Sequence, residues 1–103
     1  MGKAYEITVW KPHTGKRGEF IKSMKEVAAI FKENGVSEII MMGGHAGKDV
    51  GHVVVLQTFK SLTENGIVND AIADSPAMKA WFEKNKDMDS AVMISHDLYT
   101  EEG

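Results

Sequence analysis

The stretch His52-Val53-Val54-Val55-Leu56-Gln57-Thr58-Phe59, entered through Gly51, constrains the fold more than any other part of the chain. Consecutive β-branched residues favour extended backbone, and apolar side chains at both parities mean that neither face of this strand is left to water. A small antiparallel sheet ordinarily keeps one wet face. Helices are therefore expected on one side of this strand and a second cover on the other. In a chain of 103 residues that second cover is expected to be another copy of the chain.

The length fits a single domain over residues 1–103, with one core and little beyond it. Hydrophobic residues at 43% and charged residues at 26% describe a globular chain rather than a disordered one. The formal charge is −3 and the only arginine is Arg17, which argues against a nucleic-acid partner, since such proteins present several arginines on a basic face. Lys11, Lys16, Lys22, Lys25 and Lys32 cluster in the first third and read as the solvated face of a helix. The absence of cysteine excludes disulfides, thiolate chemistry and cysteine-ligated metals. No apolar run approaches the ~20 residues that span a bilayer, so no membrane is expected. The opening Met-Gly-Lys-Ala-Tyr-Glu has no apolar segment after its lysine, so no export signal is expected and the cytoplasm is the simplest location.

In chain order, Ala4 to Trp10 alternates with a period of two and reads as a strand, ended by Lys11-Pro12-His13-Thr14-Gly15. From about Lys16, Phe20, Met24, Val27 and Phe31 form a helical stripe, and Asn34-Gly35 closes it. Ser37 to Gly44 is a second strand, and Gly43 to Asp49 a hairpin loop into the central strand. Ser61-Leu62-Thr63-Glu64 fits a capping box before a helix that buries Val68, Ala71 and Ile72. Asp74-Ser75-Pro76 breaks and restarts this helix, with Met78, Trp81 and Phe82 on the buried side of the second piece. Met88 to Tyr99 is the last strand. The order is β-α-β-β-α-β, a ferredoxin-like α+β plait in which the first and third strands are central and the helices share one face.

The purely apolar rows are expected to face the helices: Tyr5, Ile7 and Val9; Ile39 and Met41; Val54 and Leu56; Val92, Ile94 and Leu98. The opposite face then carries Glu6, Thr8 and Trp10; Ile40 and Met42; Val53, Val55, Gln57 and Phe59; Met93, Ser95, Asp97 and Tyr99. An apolar wall with a few convergent polar groups describes both small-molecule pockets and self-complementary interfaces. Thr8, Trp10, Met42, Val55, Gln57, Met93 and Asp97 are accordingly the candidate pocket residues, and a homodimer through the sheet face is the expected partner.

This order of elements, the broken second helix and the segment Asp74-Ser75-Pro76-Ala77-Met78-Lys79-Ala80-Trp81-Phe82 resemble the dimeric α/β-barrel superfamily, and within it the antibiotic-biosynthesis-monooxygenase-like domains. The resemblance implies two sheets packed face to face and a cavity between sheet and helices in each protomer. It also implies an oxygenase-like reaction that needs no cofactor, with Trp10, Gln57 and Asp97 orienting a small apolar or aromatic substrate that itself supplies the electron to oxygen. Haem-degrading relatives carry an iron-ligating histidine and a pocket tryptophan where this chain has Phe82 and Ile72, so the resemblance does not imply haem degradation. The alternative is a non-catalytic homodimeric binding or stress-related assembly protein whose mixed face is only an interface. Room in the cavity discriminates them: if Met42, Gln57, Met93 and Trp10 fill it, no enzyme site remains.

Other polar groups read more plainly. His45, His52 and Asp49 share the hairpin, where turn chemistry accounts for them and no metal is expected. The glycines from Gly43 to Gly47 before Lys48 lack phosphate-loop spacing and precede a strand, so they form a turn. His13 and Asp97 are candidates for acid and base at a cavity mouth, against ordinary solvation at a loop and a strand end. His96 shares a row with Ile94 and Leu98 and reads as a histidine satisfied at the edge of the core.

Overall fold

The computed structural model describes residues 2–102, in the order β1 (Ala4–Pro12), α1 (Arg17–Glu33), β2 (Glu38–Gly43), β3 (Val53–Phe59), α2 (Leu62–Asp74), α3 (Pro76–Asn85) and β4 (Ala91–Thr100). The strands form one antiparallel sheet in the order β2-β3-β1-β4, with β3 and β1 in the centre, as the ferredoxin-like plait requires. The Cα extents of 42 × 37 × 16 Å correspond to one layer of helices on one layer of sheet.

Local chemistry sets the helix ends. Gly35 follows the last turn of α1 at φ 113°, and the Val36 N–H returns to the Phe31 carbonyl. A side chain at Gly35 would also come within 2.9 Å of Val68 Cγ2, where α2 packs close. The Ser61 hydroxyl accepts from the Glu64 N–H at 3.0 Å. Ser75 ends α2 and caps α3, accepting from the Met78 N–H at 3.2 Å, with Pro76 at the first helical position. The strand β1 runs two residues further than its alternation indicates, because Lys11 and Pro12 still pair with β4 after pairing with β3 has ended at Trp10.

The two sheet faces are the reverse of the sequence expectation on the central strands. Ala4, Phe59, Val53 and Val55 are buried against Phe20, Val27, Val68, Ile72 and Met78 of the helices. Glu6, Thr8 and Gln57 alternate with them on the same layer and are buried as well. The row Tyr5, Ile7, Val9 with Val54 and Leu56 therefore turns away from the helices. Ile39 and Met41 do face them, as expected. The error has a physical cause: a row holding a carboxylate, a hydroxyl and an amide looks solvent-facing, and here those groups serve a cavity inside the protein.

On β4 neither expected row survives whole. Val9 pairs with Ser95 but Trp10 pairs with Met93, so a bulge takes up Ile94 as an extra residue. Parity changes across it, placing Ala91 and Met93 on the helix side, then His96 and Leu98. Ser95, Asp97 and Tyr99 do not share the face of Met93. Phe82 is also misplaced by the helical stripe; it is 59% exposed rather than core.

Candidate functional site

Glu6 is a carboxylate in the middle of the central strand, on the helix-facing layer. It is 8% exposed. An unpartnered charge there is prohibitive, and three donors meet it. Asn65 and Asn69 stand one helical turn apart on α2, so both amides reach the same side. Asn65 Nδ2 donates to Glu6 Oε1 at 2.6 Å and Asn69 Nδ2 donates to the same oxygen at 2.8 Å. The sheet supplies the third donor. Glu6 pairs with Leu98 and Thr8 with His96, so His96 is the diagonal neighbour of Glu6, and its Nε2 lies 2.7 Å from Glu6 Oε2. Burial raises the Glu6 carboxyl and is the largest single influence. The hydrogen bonds from Asn69, Asn65 and His96, with the charge of His96, together outweigh it and hold the group below its ordinary range.

This cluster forms one end of a cavity of about 330 Å³ between sheet and helices. The sheet contributes Glu6, Thr8, Trp10, Ile39, Met41, Val55, Gln57, Met93 and His96, and the helices Met24, Val27, Phe31, Asn69, Met78, Trp81 and Phe82. Such a lining, apolar with a few convergent polar groups, suits a small organic molecule. The helices leave the helix-facing part of β4 uncovered, with Met93 at 43% and Leu98 at 46% exposed. A groove lined by Glu6, Asn69, His96, Asp97 and Leu98 adjoins the cavity there. His96, with its side chain 51% exposed, stands at that mouth, and Glu6 lies behind it.

Two tryptophans wall the cavity differently. The Trp10 indole N–H is satisfied by Thr8 Oγ1 at 2.8 Å, and its ring lies 5.4 Å from that of Phe20, so it presents an apolar face. The Trp81 ring meets Phe82 edge-on at 5.4 Å, while its buried Nε1 has no protein partner among the described residues.

Of the candidate pocket residues, Thr8, Trp10, Val55, Gln57 and Met93 line this cavity. Met42 does not. It follows Met41 on β2, faces the other way, and borders a separate depression with Arg17 and Lys25. Asp97 pairs with Ile7 and reaches only the outer groove. His13 is not beside it but binds Asp89 at 2.9 Å, at the opposite end of β1. In the hairpin, His52 Nδ1 and Asp49 Oδ1 are 3.7 Å apart, and no group of three or more metal-ligating side chains comes together among the described residues. Of the central group of the site, the sequence singles out only His96, as a histidine satisfied at the edge of the core, and not Glu6, Asn65 or Asn69. The cluster's one visible signal was the pair of asparagines at i and i+4 opposite a lone charge in an apolar strand.

No curated protein matches the chain. Among solved structures, it is similar to a NIPSNAP family protein of unknown function from Agrobacterium tumefaciens, with TM-score 0.70 and 17% identity over 97% of this chain and 86% of that one. It is similar to a candidate antibiotic biosynthesis monooxygenase from Chloroflexus aurantiacus, with TM-score 0.68 and 15% identity over 98% and 94%. SnoaB from Streptomyces nogalater, described as a cofactor-independent oxygenase, matches with TM-score 0.71 and 12% identity over 100% and 96%. At these identities the likeness shows a shared ferredoxin-like fold. Residues 3–94 match the family model described as Domain of unknown function (DUF6854), and the chain belongs to that family.

Proposed function

We propose that this protein binds a small apolar or aromatic molecule between its sheet and helices and acts on it as a monooxygenase-like enzyme without a cofactor. The observation that carries the binding is the cavity of about 330 Å³, apolar along most of its wall, with the Glu6 cluster at one end. Trp10, Gln57 and Met93 line that space without filling it. The oxygenase part rests on the fold shared with SnoaB and with the monooxygenase-like neighbour.

The same reading pairs two copies through the outer face of the sheet. Ile40 and Met42 are 38% and 43% exposed there, beside the half-buried Ile7, Val54 and Leu56, an apolar face that a second copy would cover. A non-catalytic homodimer is the second reading, favoured by that face alone. Native mass spectrometry of freshly purified protein separates the two. A dimer carrying a small adduct that is lost on denaturation supports the binding reading. A bare dimer that takes up none of a panel of small aromatic compounds supports the non-catalytic one.

A further inference from the structure

The strand β2 is an open edge of the sheet. It pairs with β3 on one side and with no strand on the other among the described residues. The Gly44 N–H bonds to the His52 carbonyl at 3.0 Å, and in an antiparallel ladder such inward bonds fall on alternate residues. Met42 and Ile40 therefore bond to β3, while Met41 and Ile39 turn their N–H and C=O groups outward. Edge strands are ordinarily blunted by lysine, proline or a bulge. This one has none of these and a single charge, Glu38 at its first position. A depression of about 220 Å³ runs along the edge. It is lined by Met41 and Met42, consecutive residues that face opposite ways, so it lies at the rim of the sheet rather than on a face. Its far wall is the stripe Arg17, Ile21 and Lys25, on successive turns of α1. Arg17 Nη1 donates to the Gly51 carbonyl at 2.8 Å, which fixes the guanidinium beside Gly43. Two carboxylates of α1 are engaged elsewhere, Glu19 with Lys16 at 3.3 Å and Glu26 with Lys84 at 3.5 Å. Arg17 and Lys25 have no carboxylate within ion-pair distance among the described residues.

We propose that this edge takes up an extended acidic peptide as a fifth strand, held by main-chain hydrogen bonds to Ile39 and Met41 and by the charges of Arg17 and Lys25. A guest residue opposite Ile39 or Met41 shares their side of the sheet, so alternate guest side chains point at the α1 stripe. Arg17 and Lys25 stand about 12 Å apart along the helix, and carboxylates four residues apart on a strand span about 13 Å. The matching pattern is an acid, an apolar side chain two residues on to meet Ile21, and a second acid after two more. A second copy of this chain does not supply it. Its own free edge, β4, turns His96, Leu98 and Thr100 to the helix side, with no carboxylate among them. The peptide surface does not depend on the cavity reading, since depression and cavity share only Met41.

The test follows the fluorescence anisotropy of the peptide amide Thr-Glu-Thr-Val-Thr-Glu-Thr, labelled with fluorescein and titrated with the wild-type protein at low salt. Saturable binding is expected, weakened at least about tenfold when both glutamates of the peptide are glutamine. Lys25→Gln and Arg17→Gln are each expected to weaken it about threefold. Both side chains are exposed, and Lys25 makes no ion pair to lose, so its variant keeps the fold. N-methylation of the central valine removes a donor that the strand pairing needs and is expected to weaken binding at least about tenfold. N-methylation of a neighbouring threonine, whose N–H points to solvent, is expected to change it less than about twofold. Equal binding of the two methylated peptides would mean attraction by charge alone and overturns the strand addition. Absence of saturable binding, or binding indifferent to both Lys25→Gln and Arg17→Gln, overturns the proposal as well.

Discussion

Glu6 sits where the alternation of a central strand calls for an apolar side chain, and its three donors make the charge tolerable. Replacing it with leucine removes the charge but leaves the Asn65 amide buried without its acceptor. Glu6→Leu is expected to destabilise by about 1–3 kcal/mol, read as a lower denaturant midpoint; an unchanged midpoint would mean that the cluster adds nothing to stability. The carboxyl is depressed in the folded state relative to its ordinary 4.5, so its contribution is complete above that value and is lost as pH falls through the folded one. Wild-type stability is therefore expected to drop more steeply in acid than that of Glu6→Gln. Parallel curves would contradict the assignment. Phe82, an aromatic in a helical stripe, invites a core reading, yet it is 59% exposed at the cavity wall. Phe82→Ala is expected to cost less than about 1 kcal/mol in thermal unfolding, not the ~3–5 of a core truncation.

Elements were legible wherever a local signal decides them. Ser75-Pro76 combines a hydroxyl that caps with a ring that cannot continue the preceding helix, and the break falls there. Gly35 is required twice over, by its φ of 113° and by Val68 at 2.9 Å from where a Cβ would lie. Gly35→Ala is expected to destabilise by more than about 1 kcal/mol by calorimetry, and a neutral result would mean that the end of α1 adapts freely. The bulge at Val9/Trp10 had no such signal. It depends on how β1 and β4 meet, residues far apart in sequence, and it alone turns both Met93 and His96 toward the cavity.

For the whole molecule, helices cover one face of the sheet as expected, but the rows exchange places. Val55 is 1% exposed between sheet and helices, so an aspartate there would wreck the core and say nothing about association. The informative change is Leu56→Asp on the outer row. Sedimentation is expected to show a dimer for the wild type and a folded monomer for this variant. A persistent dimer would place the interface elsewhere.

Order and type of elements followed from the sequence alone, because hydrophobic period, capping residues and turn glycines act over a few neighbouring residues. The doubly apolar β3 likewise announced a central strand of the sheet. Which row faced inward was decided only in three dimensions. A buried polar row is indistinguishable from a solvated one until its partners are known. The partners of Glu6 lie 59, 63 and 90 residues away, brought to it by the packing of α2 and the register of β4.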